Sequence, residues 1–273
     1  MRCDYHIHTL ISSDCNVSPK EQIESAVTCG LEEICFTEHL EINFHRGEEW
    51  HTDIQNYYKI FQELDTKGLR VKFGVEAGIS CEEDDLAELK EELNSVPFDY
   101  VLACAHAVKG ADPFMPTFFE NKTREQVFKD YLSVLLKGVK GLGTENYSAI
   151  AHIDFPAKGM GALGLKEPFL RYSDAADEID SLFQYIIPLG KCIEINTSSY
   201  RKLNGFPIPG NDWLRRYVEF GGEFVTFGSD AHLKEHVGGY FKEAIELARN
   251  AGIKYYATYD RMVPTLHKLS SET

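Results

Sequence analysis

Residues 4–9 read Asp-Tyr-His-Ile-His-Thr, Asp14 follows closely, and the rest of the sequence is organised around this stretch. Successive side chains of a β-strand point to opposite faces, so the imidazoles of His6 and His8 point the same way. Two imidazoles on one face, beside Asp4 and Asp14, suit a metal site better than a hydrophobic core. The alternative for an isolated His-x-His is a pair of surface histidines on an edge strand, and the later segments decide between the two.

Length and bulk composition are compatible with one large globular domain. The chain has 273 residues, of which 43% are hydrophobic and 12% aromatic, enough for a sizeable core. Its formal net charge of -15 argues against binding of long nucleic acids, which need a basic surface. A small phosphorylated molecule stays compatible with this charge, because bound metal cations reverse the sign locally.

The seven cysteines include no Cys-x-x-Cys pair. Cys3, Cys35, Cys104 and Cys192 lie in apolar runs and are predicted to be small core residues. The sequence shows neither an apolar export segment nor an apolar run long enough to span a membrane. We therefore expect a cytoplasmic protein with reduced thiols and no membrane association.

Short strand-like runs alternate with helical segments along the chain. The predicted strands are residues 2–6, 33–37, 71–75, 100–105, 149–153, 192–195, 224–227 and a shorter 255–259. Ser18, Pro19 and Glu21 form a strong helix start, and Thr52 and Thr123 are predicted to cap later helices. Repeated βα units imply a parallel sheet, so we predict an α/β barrel of seven or eight units forming one domain over residues 1–273.

Three segments between these elements are predicted as loops. Residues 41–51 are polar and long enough to close over a site, and residues 158–166 are rich in glycine. A third loop, carrying Arg201, follows the sixth strand.

Polar residues fall at the C-terminal end of each predicted strand from the first to the seventh. They are His6, His8, Glu38, His39, Glu76, His106, His152, Asp154, Glu194, Asn196, Asp230 and His232. In a parallel barrel that end carries the active site, and histidines placed only for packing would not segregate in this way. The pattern therefore predicts one metal site built from many strands.

The ligand type narrows the choice of metal. Imidazoles and carboxylates without a thiolate pair suit Zn, Mn or Fe. About nine potential ligands exceed the needs of one ion, so we expect two or three divalent ions, with Glu76 placed to bridge two of them.

The same residues resemble the motifs of the PHP superfamily, the polymerase and histidinol phosphatase domain. The stretches similar to its motifs are residues 4–9 with Asp14, 36–39 (Phe-Thr-Glu-His), 74–76 (Gly-Val-Glu), His106, His152 and 228–232 (Gly-Ser-Asp-Ala-His). Residues 194–198, Glu-Ile-Asn-Thr-Ser, resemble the histidinol-phosphate phosphatase branch. One departure is the sequence around His106, Cys-Ala-His-Ala, where that branch often has Ser-Val-His.

The resemblance implies a distorted TIM-like (β/α)7 barrel with a trinuclear site. By motif, one ion would be held by His6, His8, Glu76 and Asp230, a second by Glu76, His106 and His152, and a third by Asp14, His39 and His232. The implied activity is hydrolysis of a phosphomonoester, L-histidinol phosphate of histidine biosynthesis, by a hydroxide that bridges metal ions.

Further roles are expected for residues around the metal ligands. Arg201 is predicted to clamp the phosphate in bidentate fashion, with Lys158 as a second cation. The proton for the leaving alkoxide could come from Asp230, His232 or a bound water. Glu38, Asp154 and Asn196 are predicted to orient the ligands. The alternative for Glu194 is that it faces the helical layer.

Three other functions compete with this reading. The first is a PHP phosphoesterase for nucleotides, short oligonucleotides or phosphotyrosine proteins. The second is an inactive metal-binding regulatory module, which the complete ligand set disfavours. The third is a metal-dependent amidohydrolase on a similar barrel, which usually carries a bridging lysine at a strand end. The sequence predicts no oligomeric state.

Overall fold

The computed structural model describes residues 3–47, 50–165, 171–202 and 205–269. In these ranges the strands are β1 (Cys3–Ile7), β2 (Glu33–Glu41), β3 (Arg70–Gly78), β4 (Tyr100–Cys104), β5 (Ala149–Ile150), β6 (Cys192–Asn196), β7 (Phe224–Gly228), β8 (Tyr255–Asp260) and β9 (Val263–Lys268). The helices are α1 (Pro19–Thr28), α2 (Ile54–Gln62), α3 (Glu83–Leu93), α4 (Pro116–Phe119), α5 (Arg124–Leu142), α6 (Pro156–Ala162), α7 (Ala176–Ile186), α8 (Ser198–Lys202), α9 (Asn211–Glu219) and α10 (Phe241–Ala251).

The sheet follows the order of the chain and returns to its start. Strands β1 to β8 pair in parallel with their sequence neighbours, and β9 pairs antiparallel with β8. β1 also meets the segment after β7, where Ile7 bridges Ala231 and the Asp230 N–H donates to the His6 carbonyl at 2.8 Å. This contact closes seven strands into a distorted barrel, which confirms the predicted fold class.

The β8–β9 hairpin covers the end of the barrel where the strands begin. Tyr259 of β8 lies inside, with its ring 5.0 Å from that of Tyr100 and its hydroxyl 3.5 Å from the Cys192 sulfur. The Tyr259 N–H donates to the Tyr5 hydroxyl at 2.7 Å. At the hairpin turn, the Met262 N–H donates to the carbonyl of Asp99, just before β4. A shorter β8 was expected, and β9 was not predicted.

Local signals for the helix starts agree with the structure at two of three positions. Ser18 caps α1 in a capping box with Glu21, and Thr123 caps α5 with Gln126. At α2 the prediction was wrong, because Asp53 is the cap. The Thr52 hydroxyl instead donates to the carbonyl of His39, which ties the start of α2 to the end of β2.

Two predicted loops are helical. Lys158 lies in α6, which starts at Pro156, so the prediction of a loop over 158–166 was wrong for residues up to Ala162; Lys166 lies outside the described residues. At Gly159 a Cβ would come 1.8 Å from the Pro113 carbonyl oxygen, so α6 can pack against the loop after β4 only with glycine there. Arg201 lies in the short helix α8 rather than in a loop.

The four cysteines predicted as core residues are buried, each at most 4% exposed. Among the described helices, none combines the length and apolar character that crossing a bilayer requires.

Candidate metal centre

His6 and His8 point to the same face of β1, as the alternation predicts. Their Nε2 atoms are 3.0 Å apart, and both residues are fully buried. The same two nitrogens lie 3.3 and 3.4 Å from Oε2 of Glu76 at the end of β3. The edge-strand alternative is therefore excluded, and the first cluster forms between two strands that are not neighbours in the sheet.

Glu76 lies between two groups of imidazoles. Its Oε2 faces His6 and His8 and is 3.1 Å from Nδ1 of His39, while its Oε1 is 2.9 Å from Nε2 of His152 and 3.3 Å from Nε2 of His106. Burial opposes ionisation of this carboxyl, but the surrounding imidazoles hold its pKa well below the usual value. Each carboxylate oxygen thus serves a separate set of nitrogens, the geometry of a bridging ligand.

A third group forms around Asp14. Its Oδ2 is 3.0 Å from Nε2 of His232 and 3.5 Å from Nε2 of His39. The rings of His39 and His232 both stack against the ring of His8, at centroid distances of 4.3 and 4.2 Å. Although burial raises the pKa of Asp14, its hydrogen bonds to the two histidines bring it well below the usual range.

Asp230 completes the first group from the end of β7. Its Oδ1 is 3.9 Å from Nε2 of His6, 3.7 Å from Nε2 of His8 and 3.4 Å from Nδ1 of His232. Its Oδ2 accepts a hydrogen bond from Nζ of Lys158 at 2.5 Å. The backbone of Asp230 is left-handed, with φ of 51°, a strained conformation that recurs at functional sites.

Buried partners hold the outer nitrogens of three of these imidazoles. Oε1 of Glu194 accepts from Nδ1 of His6 at 2.6 Å, and Oε1 of Glu41 accepts from Nδ1 of His106 at 2.5 Å. The Ser12 hydroxyl lies 3.3 Å from Nδ1 of His8. These contacts orient the Nε2 atoms of the three rings toward Glu76.

Glu41 and Ser12 were missed, and the helical-layer alternative for Glu194 is wrong. β2 extends four residues beyond its predicted end at Thr37, so Glu41 lies two residues after His39 on the same face of the strand. Residues 38–39, Glu-His, close the predicted strand, so this extension was not predicted. Continued alternation of side chains from Thr37 would have placed residue 41 on the same face as His39.

The three residues predicted to orient the ligands behave differently from one another. Glu38 accepts from the Ser12 hydroxyl at 2.6 Å and thus acts on His8 through Ser12. Asn196 donates to Glu194 at 3.0 Å and to Asp230 at 3.4 Å. Asp154 is buried, but its Oδ1 has no hydrogen-bond partner among the described residues, and burial raises its pKa to about 8.

The donor set fits divalent metal ions. Three overlapping groups each have donor atoms that lie within 4.8 Å of one another. The groups are His6, His8 and Glu76; His8, His39 and His232; and His39, Glu76 and His106. Burial and neighbouring imidazoles lower the pKa of His8 well below its usual value. Burial, with Lys158 adding to it, lowers that of His152 to about 4. Both rings are therefore neutral at pH 7 and keep a lone pair for a metal.

Seven of the nine predicted metal ligands line a cavity of about 330 Å³, and the two predicted phosphate-binding cations line the same cavity. Lys158 is 1% exposed and ion-paired with Asp230. Arg201 donates from Nη2 to the Ser229 carbonyl at 3.0 Å, and its buried Nη1 has no hydrogen-bond partner in the part of the chain that the structure describes. An unpartnered guanidinium nitrogen beside the metal ligands is a suitable group for an anion.

Comparison with known proteins agrees with this geometry. The family model described as "PHP domain" matches residues 4–198. The chain is 32% identical to a probable histidinol-phosphatase of Clostridium acetobutylicum, over 92% of this chain and 94% of that protein. It is 28% identical to the histidinol-phosphatase of Lactococcus lactis, over 96% and 95%.

A solved structure is similar over almost the whole chain. It is the crystal structure of histidinol phosphate phosphatase from Lactococcus lactis complexed with Zn, L-histidinol and phosphate. It superposes with a TM-score of 0.85 at 26% identity and covers 97% of this chain and 98% of that one. On its motifs, its barrel and these relatives, the chain belongs to the PHP domain family.

Proposed function

We propose that this chain is a metal-dependent phosphatase that hydrolyses L-histidinol phosphate to L-histidinol and inorganic phosphate. The observation that carries the proposal is the meeting of all nine predicted metal ligands in one cluster. Seven of the nine line a cavity that is also lined by Lys158 and Arg201. The similar structure from Lactococcus lactis holds Zn and both products of this reaction, and that protein is named for this substrate. The substrate assignment comes from that similarity.

Two or three divalent ions, Zn, Mn or Fe, are proposed as the cofactor. The two carboxylate oxygens of Glu76 lie beside separate sets of imidazole nitrogens, which supports two ion positions. The group formed by Asp14, His39 and His232 supports a third. Bound ions would lower the pKa of a shared water so that hydroxide is available near neutral pH. Residues 228–232 lie outside the part matched by the family model, so we propose that residues 1–273 act as a single domain.

The residues of the chain itself would bind and orient the phosphoryl group. Arg201 is fixed by the Ser229 carbonyl and directs its free nitrogen to the phosphate oxygens. Lys158 holds Asp230 in place and adds a positive charge to the same wall. Asp230 and His232 are the proposed carriers of the proton to the leaving alkoxide, because both line the cavity and contact each other at 3.4 Å.

Phosphate release from L-histidinol phosphate, measured together with the metal content of the same sample, tests the proposal. A substrate panel should include nucleotides, a phosphotyrosine peptide and an amide, since these represent the competing functions. We expect L-histidinol phosphate to be the best substrate. Strong turnover of nucleotides alone would overturn the substrate, and metal-loaded protein without phosphoesterase activity would support the regulatory module.

A pair of variants links the activity to the centre. Glu76→Gln removes the charge between the imidazole groups and should reduce both metal content and kcat/KM by about 100-fold or more. The matched control is Glu24→Gln, at an exposed position of α1, which should leave both values unchanged. If Glu76→Gln kept full metal content and full activity, the bridging role would be wrong.

A further inference from the structure

A second group of residues lines the same cavity beside the metal ligands. It consists of Arg46 and Trp50, from the segment after β2, and Asp112 and Phe114, from the segment after β4. We call these four residues the cation subsite. Trp50 joins it to the metal centre, because its ring lies 5.0 Å from that of His39. A small molecule held at the metal ions would therefore reach the cation subsite with its other end.

Asp112 is the fixed element of the cation subsite. It is 4% exposed, and its Oδ1 accepts a hydrogen bond from the Phe114 N–H at 2.7 Å. Its Oδ2 accepts from Nε of Arg46 at 2.6 Å and also from Nη2, and Nε2 of His45 is 3.5 Å away. A buried carboxylate is stabilised by a positively charged partner, so this position favours a cation.

Arg46 is the movable element. Its side chain is 36% exposed, so the guanidinium can exchange its place for water. It lies 5.2 Å from the ring centroid of Trp50 and 6.0 Å from that of Phe114. A flat, delocalised cation with N–H donors is thus held against two aromatic rings and one carboxylate. A protonated imidazole ring is likewise flat, carries one delocalised positive charge and has N–H donors.

We propose that Arg46 occupies the position of the substrate's imidazolium ring, and that substrate binding displaces Arg46 from Asp112. Oδ2 of Asp112 already accepts two hydrogen bonds from Arg46, and Oδ1 accepts one from the Phe114 N–H, so a second cation can pair with Oδ2 only if Arg46 moves away. The phosphate would then lie at the metal centre and the positive ring at Asp112. The identity of the ring depends on the proposed function, whereas the displacement of Arg46 by a flat cation does not.

Displacement makes a prediction that a simple binding role for Arg46 does not. If Arg46 competes with the substrate for Asp112, removal of Arg46 must strengthen substrate binding. The free energy needed to break the ion pair of Arg46 with Asp112 is then no longer subtracted from the binding free energy. Arg46→Met keeps the apolar stem of the side chain, removes the guanidinium and should lower KM for L-histidinol phosphate about 3- to 10-fold relative to KM for n-butyl phosphate, which has an uncharged tail. Asp112→Asn should change this ratio about 10-fold or more in the opposite direction.

The control is Lys109→Met, which removes an exposed cation of the same segment that is paired with Asp130, and it should not change the ratio. The proposal would be overturned if KM for L-histidinol phosphate rose relative to KM for n-butyl phosphate in both Arg46→Met and Asp112→Asn. The ion pair of Arg46 with Asp112 would then be a structural link between two loops. An unchanged ratio in Arg46→Met would also overturn it. Should Asp112→Asn fail to fold, the Arg46→Met result decides alone.

Inhibition separates this proposal from the proposed function. The probe is methylguanidinium, a flat cation that has N–H donors but no lone pair for a metal, used against hydrolysis of n-butyl phosphate. Its inhibition constant should fall in Arg46→Met by a factor similar to that for KM, whichever phosphoester is the natural substrate. Poor turnover of L-histidinol phosphate with this inhibition pattern would reject the function and keep the cation subsite, and an unchanged inhibition constant would reject the subsite.

Discussion

Glu194→Gln tests whether the charge behind His6 controls metal binding. Oε1 of Glu194 accepts from Nδ1 of His6 at 2.6 Å, and Oε2 accepts from the His152 N–H at 3.2 Å and from Asn196 at 3.0 Å. The amide can keep its oxygen on one side, but its NH2 group then faces hydrogen-bond donors on the other. Loss of a charge-assisted bond of this kind costs about 1.5–3 kcal/mol.

This cost converts to a weakening of metal binding by about 10- to 100-fold, at 1.4 kcal/mol for each factor of ten. The assay is competition with a chelator of known affinity, followed by the metal content and kcat/KM of the recovered protein. Glu223→Gln, at an exposed site paired with Lys254, is the control and should match the unmodified chain.

The reasoning would be refuted if Glu194→Gln bound metal within twofold of the unmodified chain and retained full activity. Unfolding of the metal-free variant by urea shows whether the fold is intact. If it is not, Glu41→Gln repeats the test at His106, whose Nδ1 has the equivalent carboxylate partner.

Three further outcomes are expected. Burial lowers the pKa of His39, but the carboxylates of Asp14 and Glu76 outweigh it and raise the pKa to about 9. The stabilisation of metal-free protein by protonated His39 should therefore be complete below pH 6.5 and be lost between pH 6.5 and 9, as measured by urea unfolding. Metal-loaded protein, in which the imidazoles are neutral, should not lose stability over this pH range. Tyr259→Ala should lower the free energy of unfolding by about 3–5 kcal/mol, whereas truncation at exposed Tyr240 should cost far less, and equal effects would contradict the buried position of Tyr259. Gly159→Ala should destabilise by about 1–3 kcal/mol, because the added Cβ meets the Pro113 carbonyl, and an unchanged urea midpoint would show that α6 does not pack so closely.

The ligand positions were predictable because they depend on local rules. Alternation placed His6 and His8 on one face, and the common direction of parallel strands brought Glu76 and Asp230 to the same end. Both inferences need only strand boundaries correct to within a residue or two. The convergence of these residues could therefore be predicted without knowledge of any contact, whereas the choice of nine candidate ligands came from the family resemblance.

The remaining features depend on contacts between distant segments. Glycines 159, 161 and 164 are typical of a loop, so the sequence pattern did not predict α6. The packing of α6 on Pro113 could not be predicted from residues 156–162 alone. The exposed strand β9 shows no hydrophobic alternation, and its position depends on the turn that meets Asp99. The pair of Arg46 and Asp112 joins two loops whose relative placement only the folded barrel determines.

The contact between the first strand and the segment after the seventh has a consequence for assembly. His6 and Asp230 belong to one group of ligands, yet they come from opposite ends of the chain. A polypeptide shortened before Asp230 keeps most of the histidines but loses the residues that close the ring, so we expect it to bind metal less tightly than the whole chain. Metal content would then distinguish molecules that extend through Asp230 and His232 from shorter fragments.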